Sequence, residues 1–160
     1  QRHELRRKHR KIEAAGEINH VVYSTPKEIA ERLDDFVHLH RMSTAEKGRF
    51  MTPKREAFFR AMTAALAPLD VVRLYFLYLD MKPVATSLCF EHLKTRFVYN
   101  SGFNPEFYEL SVGVINHSMV IRRSICEGIK FIDFLRGSER YKYDFGAHDR
   151  KLYRILVTRR

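Results

Sequence analysis

The run Phe131-Ile132-Asp133-Phe134-Leu135 sets a carboxylate inside an apolar segment, and the pair Tyr141-Lys142 follows it after Arg136-Gly137. A carboxylate is costly to bury without partners. Asp133 therefore either points into a polar cleft or pairs with an Arg or Lys as a structural anchor. In a cleft that raised its pKa it would serve as a general base. Lys142 would stabilise an oxyanion or hold a phosphate; its alternative is to snorkel to solvent while Tyr141 packs its ring. Adjacent helical residues point about 100° apart, so the two are not expected to face one atom, and Lys142 suits charge while Tyr141 suits positioning. Arg136 would clamp a phosphate or carboxylate. Gly137 allows a turn that a Cβ would not tolerate. His117, further upstream, is a candidate base.

These side chains need elements to position them. Residues 3–15 read as a basic helix, and 16–24 contain a short strand. Thr25-Pro26 starts a helix over 26–42, because the hydroxyl caps and proline suits the first turn. Ile29, Leu33, Phe36, Val37 and His40 recur along it at helical spacing. A loop with Lys47-Gly48 follows. Thr52-Pro53 repeats the start signal for a helix over 53–67, with Ala57, Phe58, Ala61, Ala65 and Leu66 on one side and Pro68 as the stop. The period then changes. Residues 71–80, 83–93 and 95–101 read as three strands of an antiparallel meander, connected at Met81-Lys82 and at Lys94. A loop over 102–110 leads to Ser111, placed to cap a helix running to about Glu127. Val114, Ile115, Met119, Ile121, Ile125 and Cys126 are its apolar residues and Gly128 its stop. Residues 130–137 read as a strand, 138–146 as a short helix and 152–158 as a last strand.

The strand–helix–strand segment between 95 and 136 forms a right-handed crossover, which makes its two strands parallel. The expected fold class is α/β in the α+β sense: a mixed, mostly antiparallel sheet with helices on both faces, in one domain spanning 1–160. Cys89 and Cys126 read as reduced core thiols of a cytoplasmic protein. His38 and His40 point away from each other, and no zinc spacing occurs, so no metal site is expected. No apolar run approaches the ~20 residues of a membrane span. The net charge of +10 favours nucleic acid, phosphorylated cofactors or membrane headgroups as partners. Part of it is local, since Arg2, Arg6, Arg7, Lys8, Arg10 and Lys11 face Glu4 alone. That segment is either a solvated helix continuing from a preceding segment or a contact for phosphate or RNA. The chain opens without Met inside a helix, so the expectation is the C-terminal half of a longer protein.

Three strings carry more than periodicity: Tyr99-Asn100-Ser101-Gly102-Phe103-Asn104-Pro105, then Leu110-Ser111-Val112-Gly113, then Phe131 to Gly137 with Tyr141-Lys142 behind it. In this order they resemble the GNAT-like acetyltransferase domain of the CelD, cellulose-biosynthesis-associated type, which is related in fold to the Fem peptidyltransferases. Leu5 to Lys11 resembles the basic lead helix of that family. The resemblance covers nearly the whole chain. It implies transfer of an acetyl or similar acyl group from acetyl-CoA to an amine or hydroxyl, on a sugar or polysaccharide precursor. It implies that the donor enters where the fourth and fifth strands part. Asn100 and Ser101 would then sit at the mouth of that opening, with the pyrophosphate on Ser111, Val112, Gly113 and Val114. The free amides and positive dipole end of that helix are chemically suited to the task, and Gly113 permits close approach. Asp133, Tyr141 and Lys142 would be the catalytic residues, Tyr141 as proton donor to the leaving thiolate, with Arg136, Gly137 and His117 on the acceptor side. A similar N-terminal half or a homodimer partner is also implied. Ile115 stands where the standard turn has a second small residue, and a branched side chain there would crowd a pyrophosphate. That departure leaves two alternatives open: an aminoacyl-tRNA donor, or a non-catalytic half that binds anions or RNA.

Overall fold

The computed structural model describes residues 2–158. Five strands lie in one sheet in the order β1 (Ile18–Tyr23), β2 (Val72–Leu79), β3 (Lys82–His92), β4 (Thr95–Phe103) and β5 (Phe131–Asp133). The first three pairings are antiparallel and β4–β5 is parallel. The β2–β3 and β3–β4 hairpins turn on Asp80-Met81 and Leu93-Lys94, both with positive φ at the two central residues. Such turns match the right-handed twist of the strands they join.

Alternation along β2 assigns the two faces. Val72, Leu74 and Phe76 join a core with Ile29, Leu33, Phe36 and Val37 of α2 (Pro26–Ser43) and Phe59 of α4 (Pro53–Leu66). Leu77 and Leu79 point the other way, toward Ile12 of α1 (Arg2–Glu13) and Val112 and Ile115 of α5 (Val112–Cys126). Helices thus cover both faces, as the sheet's two apolar sides require. The start of α2 is a capping box. The Glu28 amide donates to Thr25 Oγ1 at 3.3 Å, and the Thr25 amide donates to the Glu28 carboxylate at 3.1 Å.

Several local expectations are corrected. Residues 45–50 form a helix, α3 (Ala45–Phe50), not a loop, because Thr44 Oγ1 accepts from the Lys47 amide at 3.1 Å and starts a turn. In α4 the buried side carries Phe59 and Thr63, whereas Ala57, Phe58, Ala61 and Ala65 are exposed. In α5 the buried side is largely polar, with Asn116, His117, Ser118 and Ser124, and Ile125 and Cys126 face outward. Asn116 is satisfied there by Ser87 Oγ at 2.8 Å, with His20 Nε2 at 3.2 Å from its Oδ1. The face was misread because partners on β1 and β3 make polar burial affordable, and no sequence window contains them. Cys126 is therefore exposed, while Cys89 is buried as expected. Residues 152–158 form no strand, and Leu152, Tyr153, Ile155, Leu156 and Val157 are all exposed. Strand propensity without a neighbour to pair and a face to bury does not hold a strand.

Candidate active site

β4 and β5 stay together only over Thr95–Phe131, Arg96–Ile132 and Phe97–Asp133. β5 ends there, because the Asp133 carboxylate accepts the Leu135 amide at 2.7 Å and Leu135 turns with φ 55°. β4 continues to Phe103 without β5. It carries a bulge at Tyr99, where the register passes from Val98–Cys89 to Asn100–Leu88. An extra residue bends the strand and re-aims its edge. The result is a sheet whose fourth and fifth strands part, with α5 bridging them.

The N-terminus of α5 abuts Phe103 at the far end of this opening. The Ile115 amide is the first to bond inside the helix, to the Ser111 carbonyl at 3.0 Å. The amides of Val112, Gly113 and Val114 precede it, and no side chain caps them. Ser111 has φ 55° and does not cap, contrary to expectation; its hydroxyl instead accepts from Lys8 Nζ at 2.8 Å. Lys11 Nζ donates to the Glu109 carbonyl at 2.7 Å. With Arg7 they rim a basin of ≈ 480 Å³ floored by Ser111, Val112, Gly113 and Val114. A Cβ on Gly113 would reach Phe103 Cδ1 only at 3.5 Å, so the space over this turn is open. Ile115 does not crowd it. Its side chain is fully buried with Ile12, Leu77 and Val84, on the sheet side of α5. Arg7 is held by the Glu4 carboxylate at 2.7 Å, and the uncapped amides, the helix dipole and the ammoniums of Lys8 and Lys11 suit a pyrophosphate. The basic lead helix thus sets Lys8 and Lys11 against this turn, while Arg2, Arg6, Arg7 and Arg10 are exposed. Replacing Lys8 and Lys11 together by alanine is expected to weaken acetyl-CoA binding about tenfold or more, the size of one charge-assisted hydrogen bond. Calorimetric titration measures this, and the loss should shrink as salt rises.

A second group of side chains gathers at the opening itself. His40 of α2 is 1% exposed, and its Nε2 bonds Asn100 Oδ1 at 2.8 Å. Lys47 of α3 donates to the Ser101 carbonyl at 2.6 Å. His117 of α5 is buried, contrary to the usual exposed surface histidine. Its ring stacks flat on Tyr141 of α6 (Arg140–Asp144) at 4.9 Å, and Phe134 meets both rings edge-on. Burial, and then the charge of Lys47, pull His40 and His117 down to about 4. Both imidazoles are neutral at pH 7. Burial pushes Tyr141 up to about 12, so its phenol stays protonated.

The other expected site residues have different surroundings. Lys142 is 5% exposed, and its ammonium donates to the carbonyls of Arg136 at 2.9 Å and Gly137 at 3.2 Å while pairing with Glu139 at 2.8 Å. All three of its protons are spent on the loop before α6. Arg136 and Gly137 are exposed and lend Lys142 their carbonyls; Gly137 turns with φ 110°. Asp133 holds the turn after β5. Asn100, Ser101, His117 and Tyr141 therefore come together at the opening, Ser111 to Val114 form its far end, and Asp133 and Lys142 brace the loop that carries Tyr141. His40 and Lys47 were missed as site residues. The available signal was a histidine on an otherwise apolar helical stripe.

Parted fourth and fifth strands with an anion site at the bridging helix define an acyl-CoA-type transferase fold. The family model described as "Acetyltransferase (GNAT) domain" matches residues 1–143, and the chain belongs to this family of acetyl-CoA-dependent acyltransferases. Among solved structures, a protein described as a predicted acetyltransferase with acetyl-CoA from Clostridium acetobutylicum is similar with TM-score 0.62 and 11% identity. The match covers 88% of this chain and 96% of that one. An aminoglycoside acetyltransferase from an uncultured soil metagenomic sample, in complex with trehalose, gives TM-score 0.57 at 13% identity, over 89% of this chain and 97% of that one. An acetyltransferase of Clostridium difficile 630, so described as "possible", gives 0.59 at 13% identity over 89% and 99%. Among curated proteins no relative matches the chain. Among the described residues no helix is long and apolar enough to cross a membrane.

Proposed function

We propose that the chain moves an acetyl group from acetyl-CoA to an amine or hydroxyl of a sugar or polysaccharide precursor in the cytoplasm, with Tyr141 as the proton donor to the departing thiolate. The observation that carries this reading is Tyr141, a phenol kept protonated by burial and held flat on His117 beside the strand edge that β5 has left. The acceptor nucleophile attacks the thioester carbonyl. The tetrahedral intermediate collapses with cleavage of the C–S bond, the thiolate takes the Tyr141 proton, the proton lost by the acceptor leaves to water, and water returns a proton to the Tyr141 phenolate. Ser111 to Val114 with Lys8 and Lys11 hold the pyrophosphate. Asn100 and Ser101 flank the acyl end. Asp133 and Lys142 act as positioning residues by fixing the loop between β5 and α6. The aminoglycoside acetyltransferase likeness supports an amino-sugar acceptor through fold alone. The argument for a tRNA donor or an inactive half rested on Ile115, and that side chain is buried away from the turn.

Tyr141→Phe is expected to lower turnover about 100-fold, within the range of general acid catalysis, with acetyl-CoA affinity unchanged. Turnover within twofold of the parent would remove Tyr141 from the chemistry. Absence of heat on titrating acetyl-CoA into the protein would remove the reading as a whole.

A further inference from the structure

We propose that Lys47 seats an anionic group of the acceptor, so that the preferred substrates are amines or alcohols that also carry a phosphate or a carboxylate. This rests on the acyl-transfer reading above and names the substrate class of the same cleft. Lys47 projects from α3 to β4 past the point where β5 leaves, and its ammonium donates to the Ser101 carbonyl at 2.6 Å. That bond uses one of its three protons. Among the described residues no carboxylate lies within 4 Å of it. Glu139 is the acid with most influence on it, and Glu139 is already paired with Lys142 at 2.8 Å.

Glu46, on the same helix, adds a weaker negative influence without pairing, and the imidazoles around this ammonium carry no compensating charge. His40 and His117 are both more than nine-tenths buried, and each leaves Nδ1 without a partner. His40 donates Nε2–H to Asn100, which leaves its Nδ1 with a lone pair and no charge. Burial pulls the Lys47 pKa down, the sign of a cation short of counter-charge. The remaining cations near the cleft are differently placed: Lys142 is fully satisfied, while Lys8 and Lys11 belong to the basin at the α5 N-terminus. A half-buried ammonium with two free protons, one carbonyl partner, neutral imidazoles beside it and no carboxylate in contact is a site for an anion. The donor's own phosphates are served at the other end of the cleft, so this anion belongs to the acceptor.

The test uses acetyl-CoA with three amino sugars: glucosamine, glucosamine 6-phosphate and 2-amino-2-deoxygalacturonate. CoA release gives the kinetics, and imidazole NMR resonances of His40 and His117 report binding directly. At least one of the anionic sugars should show kcat/KM about tenfold or more above glucosamine; which of the two does so tells phosphate from carboxylate. Lys47→Met should raise KM for the anionic sugar about tenfold more than it raises KM for glucosamine, while Lys47→Arg keeps the preference. Thermal melts check that both variants fold. No preference for either anionic sugar overturns the proposal. So does an equal fall in kcat for every acceptor, which would place Lys47 at the acyl end. If no sugar is acetylated, saturable imidazole shifts with an anionic sugar, absent in Lys47→Met, uphold the anion seat while the transfer reading fails. No shift with either anionic sugar overturns it.

Discussion

Arg96→Met is expected to cost about 3 kcal/mol of unfolding free energy, at the low end of what breaking a buried ion pair costs. Arg96 is 0% exposed although it lies in a sheet strand. Its Nε donates to Glu91 Oε1 at 2.8 Å, and Nη2 bonds the same carboxylate. Nη1 donates to Ser124 Oγ at 2.6 Å and Nη2 to Glu127 Oε2 at 2.5 Å. The guanidinium also lies 5.3 Å from the centre of the Tyr75 ring. One side chain therefore ties β3, β4 and the C-terminal end of α5. That holds the helix whose opposite end carries the anion site. Removing it leaves Glu91 with Arg73 at 3.5 Å and Glu127 with Arg123 at 2.8 Å. Those remaining partners, and the partial exposure of Glu127, keep the cost from the upper end of the range. Arg96→Lys should recover little, because one ammonium cannot reproduce a planar fork with three directed contacts. Urea unfolding followed by circular dichroism measures both variants, and a loss under 1 kcal/mol for Arg96→Met would show that the network is not stabilising.

Gly102→Ala is expected to destabilise the protein by about 3 kcal/mol or to prevent folding, the upper range for overpacking. A Cβ there would lie 2.5 Å from Leu39 C and 2.6 Å from His40 Cα, and as close to the His40 backbone nitrogen. All three are main-chain atoms of α2, so no side chain can swing aside. The helix must move off β4. That shift would part His40 from Asn100 and, through the adjoining α3, Lys47 from Ser101. Activity at a temperature where the variant is still folded should therefore fall with stability. Gly113→Ala is the control, since its added Cβ meets only Phe103 at ordinary contact distance. It should leave stability nearly unchanged and act on acetyl-CoA binding. Equal melting curves for Gly102→Ala and the parent would mean that α2 does not approach β4 this closely.

Much of the framework was legible along the chain. The two Thr-Pro starts identify α2 and α4, because capping and the proline constraint act within a single turn. The meander shows in its alternating strands and short connections, and the parallel β4–β5 pair follows from the intervening helix. Element order places Asn100 and Ser101 on β4 and Ser111 to Gly113 at the start of α5, and their part in a donor cleft was read from the family resemblance. The turn that makes α3 was missed because one hydroxyl to one amide decided it.

Sequence alone determined most of the element order, the mixed sheet and the family of acyl transfer, since these depend on local periodicity and on strings read in order. Tertiary structure decided what each charged or polar side chain does there, because that depends on partners distant in the chain. Lys142 read as a catalytic cation, and the structure spends its protons on loop carbonyls. Ile115 read as an obstacle to the donor, and helix rotation buries it against the sheet. Lys47 read as part of a loop, and it reaches an open strand edge 54 residues away. Burial and pairing set charge behaviour, and both are properties of the folded neighbourhood.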